Sequence, residues 1–221
     1  MPPSRLLVPV AVVAFLSASP PVRLSAQADP DRAVTGGGTV PPGWNARTER
    51  NAPLANVKFV AMGDGFHATM GPAAIFWRDA DTVSGDYHAV ASFTQTKAPQ
   101  HPESYGLIVG GASLADSTQR YTYFLVRGEG MISIRRRAGY AARPTAILEW
   151  TASDAVVKAD SAGRATNELS VAVSGGKARF LVNGKEVYTA NAADVDTRGI
   201  VGYRVNHNLD VHLGPLGIHR F

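Results

Sequence analysis

The chain of 221 residues contains no cysteine. That absence excludes a disulfide framework, a thiolate metal centre, a cysteine nucleophile and a lipid-modified cysteine anchor. No segment keeps a helical period, so a zinc site built from two histidines on one helix face has no helix to occupy. There is no Gly-x-Ser-x-Gly elbow and no phosphate-cradling glycine loop. Charge is sparse as well: charged residues make up 18% of the chain against 45% hydrophobic, which is neither a disordered nor a membrane composition.

Residues 1–28 differ from the rest. Arg5 supplies a positive start, residues 6–16 (LLVPVAVVAFL) are an apolar core, and Ala26-Gln27-Ala28 is a small-x-small cleavage site. The core is shorter than the roughly 20 apolar residues of a spanning helix, so the segment reads as an export signal removed after Ala28. The expected location is periplasmic or extracellular, with no membrane span once the signal is gone. The pI of about 9.5 owes much to this leader. Without Arg5 and Arg23 the remainder has 20 basic residues facing 18 acidic ones. Nucleic-acid binding needs a dense basic stripe, and only Arg135-Arg136-Arg137 is clustered, so no nucleic-acid partner is expected.

Residues 29–56 are rich in Gly, Pro and polar side chains, and read as an extended N-terminal arm with Trp44 as its anchor. From residue 57 to 221, short alternating runs separated by GDG, SGD, GGAS, GEG, SGGK and NGK predict an all-β domain. Asn183-Gly184 in RFLVNGKEVY predicts a tight hairpin turn. Residues 153–160 have room for one short helical turn. Two packed antiparallel sheets would bury such strands.

The order GPAAIFWR, SGDYHAVASFTQTK, HPESYGLIVGG, YTYFLVRGEGMISIRRRAG, ARFLVNGKEV and RGIVGYRVN resembles the concanavalin A-like lectin/glucanase jelly roll. More narrowly, it resembles the bacterial exported domains labelled 3-keto-disaccharide hydrolase-like or family-16-like. The resemblance implies an antiparallel two-sheet β-sandwich over residues 57–221. It also implies a saccharide ligand on a concave face. Glucanases of this fold carry Glu-x-Asp-x-Glu on one strand, which aims paired carboxylates into a cleft for retaining chemistry. The motif is absent here, and Glu129, Glu149, Glu168 and Glu186 are isolated.

If Gly128-Glu129-Gly130 is a hairpin loop, Arg127 pairs with Met131 and the register runs outward from there. Phe124, Val126, Ile132 and Ile134 then face the core, with Arg136 at its rim. Tyr121, Tyr123, Arg135 and Arg137 share the other face. Tyrosine rings pack on sugar C–H faces and guanidinium forks donate to hydroxyls or carboxylates, so these four residues are the candidate ligand site, with Arg127 at its edge. Ordinary cross-strand Tyr–Arg pairing would look the same. In KAPQHPESY, His101 and Glu103 are neighbours suited to acid/base work. Gly106, Gly110 and Gly111 mark either a close approach by a ligand or a bulge. Asp79, Asp81 and Asp86 offer oxygen ligands for a structural calcium ion without EF-hand spacing. No other cofactor is expected. His207 and His212, five apart, fall on opposite strand faces and read as solvated strand ends.

The leading expectation is an exported domain that recognises a glycan without standard glucanase catalysis. The alternatives are a glycoside hydrolase-like enzyme using His101 and Glu103 on disaccharides or keto-glycosides, and a structural cell-envelope module.

Overall fold

The computed structural model describes residues 30–221; the expected export signal over residues 1–28 lies outside the described residues. Fifteen strands follow one another: β1 (Asn45–Thr48), β2 (Val57–Met62), β3 (Gly65–Met70), β4 (Ala74–Val83), β5 (Tyr87–Gln95), β6 (Ser104–Ala112), β7 (Arg120–Arg127), β8 (Met131–Ala138), β9 (Thr145–Ala152), β10 (Ala165–Ser174), β11 (Lys177–Val182), β12 (Lys185–Asn191), β13 (Gly199–Val205), β14 (Asp210–Leu213) and β15 (Gly217–Arg220). One sheet runs β1-β4-β13-β6-β7-β8-β9. The other runs β12-β11-β10-β5-β14-β3-β2, with β15 beside β5. All pairings are antiparallel, as the alternating pattern predicts for a sandwich.

Alternation also sets the core. Phe59, Phe93 and Phe180 from one sheet meet Phe76, Tyr105, Phe124 and Tyr203 from the other, all essentially inaccessible. Trp44 packs among Phe59, Phe66 and Tyr203. The arm therefore is anchored at Trp44 as expected, and it goes further, because its residues 45–48 add β1 to a sheet edge. The Asn183-Gly184 turn has φ of 51° and 75° and closes the pair Val182–Lys185, the positive angles that a two-residue hairpin needs. Residues 153–160 hold no helix, only a turn in which Val156 N donates to Ser153 O.

The β7–β8 register is the predicted one: Arg127 opposite Met131, Tyr123 opposite Arg135, Tyr121 opposite Arg137. The glycines of β6 resolve to the chain's own backbone. A Cβ at Gly106 would lie 1.9 Å from Phe124 O, and Gly110, at φ 64°, would drive one into Asp196. The register between β6 and β7 shifts just there, so Gly110 belongs to a bulge.

Candidate functional site

The outer face of the seven-stranded sheet is layered. Ile75, Trp77, Ile108, Leu114, Tyr121, Tyr123 and Leu125 form a second apolar cluster there, with Trp150 and Ile200 against it. Tyr121 is 1% exposed and Tyr123 3%. This corrects the expectation of two open tyrosines: their ring faces are not available for a sugar.

Arginines form the cover. The Arg204 guanidinium lies 5.0 Å from the Tyr123 ring centre, and its Nη1 donates to the Tyr121 hydroxyl at 3.4 Å. Its Nε donates to Asn206 Oδ1 and its Nη2 to Glu49 Oε1 at 2.7 Å. Arg137 Nη2 reaches the same Glu49 oxygen at 2.8 Å, while its Nη1 donates to the carbonyls of Tyr140 and Ala142. Glu49 sits in the turn just after β1, so the N-terminal arm delivers the acid that ties two arginines down over the tyrosines. Arg204, with Arg137 beside it, holds the Glu49 carboxyl below the usual range despite burial. Burial alone would favour neutral Arg204, but Glu49 overcomes this and keeps it protonated.

The three consecutive arginines have separate fates. Arg135 donates to Ser133 Oγ and to Glu149 Oε2. Arg136, on the core-side rim, makes a two-pronged pair with Asp196. Arg137 is in the Glu49 pair.

At the end of this face the β1–β2, β3–β4, β5–β6 and β13–β14 connections and the last residue of β7 meet around a polar pocket of about 230 Å³. Its walls include Glu49, Arg50, Glu103, Arg127, Arg204 and His207. Glu103 Oε1 lies 2.6 Å from His207 Nε2, and His207 Nδ1 lies 3.2 Å from Asp31 Oδ1. Glu103, which the sequence sets beside His101 for acid/base work, is engaged by His207, a residue read from sequence as a solvated strand end. His101 is exposed on the loop and lines a second pocket of about 400 Å³, whose wall Glu103 shares.

Arg127 stacks on Trp150 at 3.7 Å and approaches Glu129 at 3.6 Å, and its Nε is buried without a partner. Arg50 at the rim is non-glycine at φ 55°, a sparsely populated conformation that persists only where its surroundings hold it. Of the five predicted ligand residues, Arg127 and Arg135 keep partial exposure (26% and 24% of the side chain), whereas Tyr121, Tyr123 and Arg137 are covered. The missed members are Glu49, Trp150, Arg204 and His207. Alternation in RGIVGYRVN, where Val201, Tyr203 and Val205 are core, was the one local signal for Arg204.

The aspartates considered for calcium do not gather. Arg78 takes both oxygens of Asp81, Asp79 accepts from Trp77 Nε1, and Asp86 accepts from Gly175 N. Among the described residues no helix is long and apolar enough to cross a membrane.

No protein-family model matches the sequence, and no curated protein matches it. Its fold matches solved structures. The carbohydrate binding module CBM66 from Bacillus subtilis superposes with a TM-score of 0.59 at 11% identity, over 85% of this chain and 99% of that one. A Bacillus subtilis protein of unknown function with a galectin-like fold gives 0.57 at 12%, over 80% and 89%. The alginate lyase A1-II′ gives 0.52 at 10%, over 81% and 95%. The likeness shows the antiparallel two-sheet jelly-roll fold that the sequence resemblance implied.

Proposed function

We propose that this protein is an exported, noncatalytic saccharide-recognition domain whose ligand enters the polar pocket at the end of the seven-stranded sheet. The observation that carries the reading is hydrogen-bonding capacity left over in a pocket walled by arginines and carboxylates. Both arginines on Glu49 share its Oε1, which leaves Oε2 to the pocket, and Arg50 and Arg127 line the same walls. Planar guanidinium and carboxylate groups side by side match adjacent sugar hydroxyls, one donating and the other accepting. Trp150, a half-buried ring, carries Arg127 on its face. The likeness to a carbohydrate binding module supports the ligand class. Glu49, held ionised by two arginines, is an acceptor and not a proton donor. No cofactor takes part, so binding persists in EDTA.

The test is a glycan array on the full chain, followed by calorimetry on each hit. Arg127→Ala should weaken binding at least tenfold. Unchanged affinity in an Arg50→Ala, Arg127→Ala double variant overturns this site.

The Glu103–His207–Asp31 chain favours one second reading, hydrolysis with Glu103 as acid/base oriented by His207. Release of product from a disaccharide or keto-glycoside that disappears in Glu103→Gln would establish it over the noncatalytic one.

A further inference from the structure

The opposite side of the molecule presents two cross-strand histidine pairs on the outer face of the eight-stranded sheet: His67 with His212, and His88 with His219. We infer that His67 and His212 together form a binding site for a divalent transition-metal ion, with Cu(II) held tightest.

The geometry begins at Asp210. Its Oδ2 accepts from Arg32 Nη2 at 3.0 Å and from Lys97 Nζ at 2.6 Å, and its Oδ1 faces His67 Nε2 at 2.8 Å. A carboxylate at Nε2 places the proton there and leaves the lone pair on Nδ1, the arrangement by which outer carboxylates orient metal-binding histidines. The other ring answers directly, with His212 Nδ1 3.1 Å from His67 Nδ1. Two nitrogens at that spacing subtend roughly 100° at an ion bound at about 2.0–2.1 Å, and rings radiating from such an ion would have centres ~4.8 Å apart. The observed centre separation is 4.6 Å, with the planes inclined at 59°.

Without metal, His212 Nδ1–H donates to His67 Nδ1. Metal takes the place of that proton, which moves to His212 Nε2. His212 lines an open pocket of about 420 Å³ together with Asp64, Ser92 and Thr94, so water has access to the remaining coordination positions. Among the described residues no group of three or more His, Cys, Asp or Glu is placed to hold an ion, which makes this a two-ligand, open site. Imidazole nitrogen with water suits copper, nickel and zinc, and affinity rises to Cu(II) along the first row.

The second pair is an internal control. The His88 and His219 rings are stacked, with centres 6.2 Å apart and planes 21° apart, so their nitrogens do not converge. Lys58, on β2 opposite Thr69, adds positive charge near His67 and opposes the ion.

The experiment titrates the full chain, made without a histidine tag, with Cu(II) by calorimetry and electron paramagnetic resonance. One equivalent should bind, with hyperfine coupling to two nitrogens. His67→Gln and His212→Gln should each weaken binding at least tenfold, His219→Gln should leave it unchanged, and Lys58→Gln should tighten it severalfold. Melting curves in EDTA establish that each variant is folded. Coupling to fewer than two nitrogens in the unmodified protein overturns the site, whatever the variants do. So does binding that survives both substitutions or is lost in His219→Gln.

Discussion

The outer face of the seven-stranded sheet places arginine in two regions with opposite outcomes. In its middle, Arg137 and Arg204 sit over Tyr121 and Tyr123, and one Glu49 oxygen receives both guanidinium groups. At its end, Arg127 rests on Trp150 with Nε unpartnered, beside Glu103 and His207. Residue type is the same in both, but exposure and the number of committed donors differ. A Tyr–Arg face can be a lid on a second apolar cluster rather than a platform, and what separates the two is a carboxylate supplied from a distant segment.

The largest test of that contrast is removal of the middle region's floor. Tyr123 is 3% exposed, and truncating a buried large aromatic costs about 3–5 kcal/mol in lost transfer energy and cavity formation. Tyr123→Ala should therefore lower the denaturation midpoint sharply. Were Tyr123 instead a sugar platform, the variant would keep its stability and lose only affinity, and the two regions would no longer be distinct.

Next comes Glu49→Gln. Removing one partner from a largely buried ion pair strands the other charge and costs roughly 3 kcal/mol. The pH dependence has a definite sign. The folded-state pKa of Glu49 lies below its ordinary value, so its contribution is fully present above the ordinary carboxylate range. It disappears as pH falls through the lowered folded value. Chemical denaturation across acid pH should show this loss in the unmodified protein, and a smaller one in the variant.

Those two residues also mark how far the sequence could be read. The β7–β8 register was legible because a three-residue glycine turn and strict alternation are local, and the Asn183-Gly184 hairpin was legible for the same reason. That both tyrosines are covered was not, since Glu49 comes from a segment with no strong period and Arg204 from a strand two places away in the sheet. His207 with Glu103, and His67 with His212, likewise meet through sheet neighbours far apart in sequence. Alternation says which face a side chain takes; it does not say which strand lies beside it.

The open end should respond in the reverse sense. Arg127 loses a cation–π contact worth about 0.5–1 kcal/mol at a partly exposed site, so Arg127→Ala should barely move the melting point. Saccharide affinity in the same variant should fall tenfold or more. A large stability loss without a binding defect would place Arg127 with the middle region.

The smallest effect is expected at Arg136, between the two arginines that face outward. Its side chain is 45% exposed and pairs with Asp196 across two hydrogen bonds at 2.9 and 3.1 Å. Exposed pairs contribute about 0.2–1 kcal/mol even in good geometry, and salt screens them. Arg136→Gln should lower stability by less than 1 kcal/mol at low salt, by less again at high salt, and leave binding untouched. A neighbour on either side, Arg135 with Glu149 or Arg137 with Glu49, lies on the other face of the same strand. Three adjacent arginines thus answer to three different carboxylates, Glu149, Asp196 and Glu49, and measuring them singly separates the rim pair from the cover without altering the fold.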